Sequence, residues 1–208
     1  MPIRIPPPRP RRGLSWSQGE AWLDDVSDLL RSVIVDEESP SRYESLSSQI
    51  HETATGSATI ATFEGLDFYH FGADVEQSLS FRLSLPHRWK EGTLITPYIR
   101  WASTNTDTGA VRWEIAYRFA DTGAVLSSIS TRTADQNAIG VAGTLQLTLF
   151  SEINCSGQHI GCTIVGAVSR LAAAAEDTCL DDAILFDVGF NVLMDINRGS
   201  QRQWTKWT

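Results

Sequence analysis

The stretch VRWEIAYRF, residues 111–119, decides the fold class. Val111, Trp113, Ile115, Tyr117 and Phe119 alternate with Arg112, Glu114, Ala116 and Arg118. A period of two places the apolar set on one side of an extended chain and the polar set on the other, so the segment reads as a strand with one face in a core. The pattern continues on both sides. Leu79, Phe81, Leu83 and Leu85 alternate with Ser78, Ser80, Arg82 and Ser84. Leu145, Leu147 and Leu149 alternate with Gln146 and Thr148, which predicts three leucines facing the core. Ile184, Phe186, Val188, Phe190, Val192, Met194 and Ile196 form the longest run. Weaker strands fit 58–63, 66–71, 93–102, 124–131 and 160–170. Turn chemistry separates them at Glu64-Gly65, Asp107-Thr108-Gly109, Asp121-Thr122-Gly123 and Ser156-Gly157.

So many strands with almost no helix predict an all-β domain. The expectation is an antiparallel jelly-roll-like β-sandwich of eight or nine strands over 57–208. Four successive alanines within Leu171–Glu176 could make one helical turn. The polar tail from 197 carries Trp204 and Trp207, which must pack on the domain or on a neighbouring chain.

Upstream the composition changes. Residues 1–14, MPIRIPPPRPRRGL, hold five of the chain's eight prolines and predict an extended, polyproline-like arm. Residues 15–36 predict a short helix, with Ser17 and Glu20 at capping-box spacing. On it Trp22, Val26, Leu29 and Val33 recur at intervals of four, three and four, a narrow coiled-coil-like seam. A helix this short is marginal alone, so it packs on its own domain or bundles with copies of itself. Residues 37–56 are polar and Ser-rich and read as a linker.

The charge is divided the same way. Arg4, Arg9, Arg11 and Arg12 stand in the first twelve residues with no acid, so of the net −8 the rest of the chain carries −12. A basic arm on an acidic body suggests a docking segment, while the overall negative field argues against nucleic acid as a partner. With 42% hydrophobic and 20% charged residues among 208, the chain has globular rather than disordered composition. No apolar run approaches the ~20 residues a bilayer span needs, and no hydrophobic stretch follows the N-terminal arginines as in a secretory signal. The expectation is a soluble protein made in the cytoplasm, without membrane contact. Cys155, Cys162 and Cys179 are too few and too irregular for a disulfide scaffold and read as buried free thiols.

Chemistry-bearing motifs are missing. There is no phosphate-binding glycine loop, no GxSxG and no HExxH. His51, His70, His87 and His159 are scattered, although His70 and His87 flank one predicted strand pair. Asp181-Asp182 reads as a solvated turn, not as a catalytic carboxylate pair. The expectation is a non-enzyme with no metal and no cofactor.

The most distinctive stretch is LPHRWKEGTLITPYIRW, residues 85–101. Pro86 ends a strand, Gly92 permits a turn, and Pro97 is tolerable only at a sheet edge or a bulge. The stretch resembles a family of tailed-bacteriophage and prophage virion proteins that share a Leu-Pro-His, Lys-Glu-Gly-Thr, Pro-x-x-x-Trp pattern. The likeness continues in order through Thr108-Gly109, Trp113-Glu114 and Gly199-Ser200-Gln201-Arg202, spanning roughly 70–206. Family members often carry histidines in the Pro-x-x-x-Trp strand, where this chain has Tyr98 and Arg100. The resemblance implies a virion structural component with a jelly-roll-like domain that forms homotrimers.

Three functions follow as expectations. The first is a trimeric capsid decoration or cement protein located in the virion. Its arm residues Arg4, Pro6, Pro7, Pro8, Arg9, Arg11 and Arg12 would lie on the major capsid protein, and Trp22, Val26, Leu29 and Val33 would set the oligomer. The second is a tail or collar fibre, or its adaptor, contacting tail proteins and the host. The third is a carbohydrate-binding β-sandwich.

Overall fold

A computed structural model describes residues 41–195. Eleven strands make up this part: β1 (Ser41–Ser47), β2 (Gln49–Glu52), β3 (Thr59–Phe63), β4 (Leu66–Phe71), β5 (Gln77–Ser84), β6 (Thr96–Ser103), β7 (Ala110–Ala120), β8 (Ser130–Asn137), β9 (Gln146–Leu149), β10 (Thr163–Arg170) and β11 (Ala183–Asp195). All pairings between them are antiparallel. One sheet runs β3-β4-β11-β6-β9, with β1 also on β11, and the other runs β2-β5-β10-β7-β8. The eight strands from β4 to β11 therefore pair as 4-11-6-9 and 5-10-7-8, the two four-stranded sheets of a jelly-roll-like sandwich. No helix occurs among the described residues. The segment 171–176 forms two successive turns closed by Ala174 N–H to Leu171 O and Asp177 N–H to Ala174 O.

The alternation of β7 is obeyed at every position: Val111, Trp113, Ile115, Tyr117 and Phe119 are all buried. Trp113 sits edge-on to Phe71 and Trp101, with ring centroids 5.1 and 5.9 Å away. Leu79, Phe81, Leu83 and Leu85 complete the inner face of β5 and its extension. Glycine is required at 166, because a Cβ there would run into the Ala116 carbonyl oxygen of β7 and lie 2.7 Å from the Phe81 ring.

Five expectations about the strands are corrected. Residues 41–52, read as linker, form β1 and β2, and the compact unit begins at Ser41 rather than at 57. β1 is polar because only one of its faces meets the core, through Leu46, and its register partner β11 supplies the apolar side. The strand expected at 124–131 is β8, at 130–137. In β11 a register shift between Leu185 and Asp187 makes Phe186 the extra residue of a bulge, so it turns outward and is 41% exposed. In β9 the faces are reversed. Gln146 and Thr148 are 6% and 2% exposed, while Leu145, Leu147 and Leu149 are 53%, 50% and 53% exposed.

The physical reason for the last reversal lies one strand away. Trp101 of β6 faces the core, and its indole Nε1 donates to Thr148 Oγ1 at 2.8 Å. A buried indole N–H without an acceptor costs free energy, and Thr148 is in place to supply one. Pro97 also differs from expectation, since it sits in β6 between β11 and β9. It is tolerated because β6 and β9 pair only from Tyr98 to Trp101, so the missing N–H falls at the end of that ladder.

Candidate functional site

The segment 85–101 can be taken first, because the sequence singles it out. It crosses from β5 of one sheet to β6 of the other. Leu85 is held by reciprocal backbone bonds, its N–H to Cys162 O at 2.8 Å and its O from Gly161 N–H at 3.2 Å. Trp89 N–H donates to Pro86 O, closing a turn, and the buried Trp89 bridges to Met194 of β11. Lys90 N–H donates to Leu193 O, and Asp195 N–H donates to Arg88 O. Thr93 Oγ1 donates to Lys90 O across a turn in which Gly92 has φ +75°. Arg88, Trp89 and Lys90 thus latch the end of β11, Leu85, Trp89 and Trp101 are buried, and His87 and Glu91 stay at the surface. The segment's backbone bonds and buried side chains build the fold.

Its last part leads to a surface. Ile99 and Trp101 point into the core, so Tyr98 and Arg100 lie on the outer face of the six-stranded sheet. Register places two rows across that face. Leu147, Arg100 and Asp187 form one, and Leu149, Tyr98, Gly189 and Ser47 form the other. Tyr98 Oη donates to Asp187 Oδ2 at 3.0 Å, and Ser47 Oγ donates to the same oxygen at 3.2 Å. The Arg100 guanidinium lies over the Tyr98 ring, 5.3 Å from its centroid. The Tyr98 ring lies over the space a side chain at 189 would fill. A Cβ on Gly189 would run into the Tyr98 ring and lie 2.7 Å from the Leu46 carbonyl oxygen, so only glycine fits. Burial, followed by the Asp187 charge and hydrogen bond, raises the Tyr98 phenol above its ordinary range.

Apolar groups flank this polar centre. Phe68 and Phe186 form a tilted ring pair with centroids 4.9 Å apart. On the other side lie Leu147 and Leu149 of the edge strand β9, preceded by Ile139, Val141 and Leu145, which are also exposed. The whole segment 138–151, AIGVAGTLQLTLFS, contains no charged residue.

Elsewhere the polar clusters are structural. Arg170 is fully buried and uses all five of its N–H donors. Nε and Nη2 reach Asp177 at 3.0 and 2.8 Å, Nη1 reaches Phe71 O and Asp181 O at 3.2 and 2.7 Å, and Nη2 reaches Cys179 O at 2.6 Å. Asp181 and Asp182, expected as a solvated turn, are loop fasteners. Asp181 accepts from Asp107 N–H and Ser103 Oγ, and Asp182 accepts from Ala73 N–H. Asp107 takes the backbone N–H groups of Leu180, Gly109 and Thr108, which hold its carboxyl below the usual range.

A polar cleft of about 380 Å³ is lined by Ser47, Gln49, Arg82, Leu83, Ser84 and Thr163. Its arginine is engaged by Gln49 at 2.7 Å. Cys155, Cys162 and Cys179 are buried free thiols, and burial pushes the first two up to about 12 and about 11, far from a nucleophile's range. His70 is buried on β4 and His87 is exposed in the crossover. Among the described residues no group of His, Cys, Asp and Glu is arranged to hold a metal ion, and no helix is long and apolar enough to cross a membrane.

The arm residues Arg4, Pro6, Pro7, Pro8, Arg9, Arg11 and Arg12, and the seam residues Trp22, Val26, Leu29 and Val33, lie outside the described residues. The outer-face surface was missed by sequence reasoning, which placed the leucines of β9 inside. Two signals were present: the uncharged run 138–151, and the departure at Tyr98 and Arg100 from the pattern the chain otherwise resembles.

No protein family model matches the chain, and no curated protein matches it. Solved structures of similar shape exist. One is a family 35 carbohydrate-binding module from Cellvibrio japonicus Abf62, with 14% identity, TM-score 0.37, and coverage of 69% of this chain and 92% of that one. Another is the CBM22-2 xylan-binding domain from Paenibacillus barcinonensis Xyn10C, with 8% identity, TM-score 0.41, and coverage of 69% and 91%. A third is infectious bursal disease virus, Gx strain, with 13% identity, TM-score 0.38, and coverage of 77% of this chain but 34% of that one. At these identities the likeness is one of β-sandwich shape.

Proposed function

We propose that the chain is a non-enzymatic structural protein of a tailed-phage virion, a trimeric cement or decoration protein on the outside of the assembled head. The observation that carries this reading is the ordered set of motifs from Leu85 to Trp101, Thr108-Gly109 and Trp113-Glu114, followed by Gly199-Ser200. Charge supports it. Arg4, Arg9, Arg11 and Arg12 offer charge-assisted hydrogen bonds to acidic grooves of the major capsid protein, and Pro6, Pro7 and Pro8 reduce the entropy lost when the arm is laid down. The Trp22, Val26, Leu29 and Val33 seam gathers three copies, so that weak individual contacts gain avidity.

The choice of head over tail or collar fibre rests on what the sandwich exposes. A receptor-contacting fibre would offer aromatic side chains in its outer loops. Among the described residues the exposed large hydrophobics are aliphatic apart from Tyr43 and Phe186, and both of those stand on strands. Co-sedimentation tests the reading. Purified full-length protein is mixed with expanded tail-less heads and, separately, with isolated tails of the same phage. Saturable binding to heads at many copies is the expected result. Binding to tails alone, at few copies, would overturn it in favour of a fibre or adaptor.

A further inference from the structure

The uncharged segment 138–151 covers one border of the sandwich. It contributes five large exposed aliphatic side chains: Ile139, Val141, Leu145, Leu147 and Leu149. Scattered exposed leucines need no explanation, but five within eleven consecutive residues form a patch. The patch is also a strand edge. Among the described residues β9 is the last strand of its sheet and pairs only with β6. Phe150 N–H reaches inward to Pro97 O. Alternation along the strand then turns the backbone N–H and C=O of Leu147 and Leu149 toward the open side. An apolar, uncharged edge whose outward backbone groups meet no partner among the described residues is the kind of edge that proteins cover or blunt with charge. The other sheet shows the contrast at its own border, where β8 carries Arg132 and Asp135.

We infer that this edge is an interface for a second copy of the same chain, formed by β9 and the leucine ridge beside it. Charge selects that occupant. The protein is net −8, so two copies repel over most of their surfaces, whereas a strip without charge lets them approach. The charged pair in one register row with Leu147, Arg100 and Asp187, sums to zero. An acidic or basic foreign partner would find nothing to match here, while leucine against leucine is self-complementary.

The four residues of β9 at about 3.4 Å each give an edge roughly 14 Å long, and the ridge beside it is about one sheet spacing (~10 Å) wide. That is well below the ~800 Å² per partner of a standard interface. The contact is therefore weak and reversible, suited to linking neighbouring copies where they are concentrated. The inference stands apart from the virion reading, because it concerns the purified protein alone.

The test is sedimentation velocity of full-length protein over a wide concentration range, beside three full-length variants. Leu147→Glu with Leu149→Glu adds like charge at the edge. Leu147→Thr with Leu149→Thr keeps strand propensity and removes the ridge. Trp22→Ser with Leu29→Ser alters the helix seam instead. Circular dichroism checks that each is folded. The expected result is concentration-dependent association of the wild type, weakened roughly tenfold or more by either β9 pair. That component should persist in the seam variant. Wild-type protein with no such component would overturn the inference, and so would β9 variants that associate like wild type.

Discussion

Strands β7 and β9 carry the same pattern and obey it in opposite senses. In β7 five large apolar residues point into the core, and Trp113 lies at its centre against Phe71 and Trp101. In β9 Leu147 and Leu149 point out, as does Leu145 just before the strand, and the polar Gln146 and Thr148 point in. Alternation reports that the two faces of a strand differ. Which face is inside depends on what the neighbouring strand needs. Beside β9 that need is an acceptor for the Trp101 indole, and Thr148 meets it. β10 gives a milder example. Arg170 stands at an inward position in line with Ile164 and Val168, and it is tolerated because Asp177 and three carbonyls take every donor.

The contrast can be broken by substitution, and the largest effect belongs to β7. Trp113→Ala should destabilise the protein by about 3–5 kcal/mol in denaturant unfolding. A value near zero would mean that β7 is not the inner strand described. Asp177→Ala leaves the Arg170 charge buried without its partner and should cost about 3–5 kcal/mol by the same measurement. Retention of wild-type stability would show that the carbonyl oxygens alone suffice. Thr148→Val keeps the shape and removes the acceptor, so about 1–3 kcal/mol should be lost with Trp101 present. No loss would remove the reason given for the reversed faces of β9.

Alkaline unfolding sharpens the outer-face account. The Tyr98 phenol is raised when folded, so its neutral form favours the folded state. That contribution is complete below the ordinary tyrosine pKa and disappears as pH rises through the raised one. Tyr98→Phe should flatten the alkaline limb of the stability profile and leave its neutral part largely in place. An unchanged limb would mean that the phenol ionises as freely in the folded protein as in the unfolded one. The smallest effect is expected at Leu147→Ser, within about 0.5 kcal/mol, because that side chain is already half in solvent. A loss comparable to that of Trp113→Ala would return β9 to the orientation its pattern first suggests.

These cases also show what could be read from the chain alone. Strands β3, β4, β5, β6, β7, β10 and β11 were legible, because each has an apolar face on a period of two or turn residues at its ends. β1 and β2 were not, since Ser, Arg, Glu and Gln on half-exposed border strands look like a linker until their partners β11 and β5 are known. The bulge that expels Phe186 leaves no local mark, because an extra residue in a ladder exists only relative to the neighbouring strand. The 85–101 motif was conspicuous as a pattern, yet what it marks is a crossover that latches β11. The outer-face surface was the least legible feature. Tyr98, Asp187 and Gly189 lie as much as 91 residues apart in sequence and meet only through the β6–β11 register.

The function proposed above divides the labour: the jelly-roll-like body would supply an acidic platform and the arginine-rich arm would supply attachment. Binding of a chain lacking residues 1–14 to expanded heads, measured with its thermal unfolding on the same sample, tests this directly. The account predicts an unfolding temperature equal to that of the full chain and no saturable binding to heads. Binding at full stoichiometry without the arm would contradict it and transfer attachment to the sandwich itself.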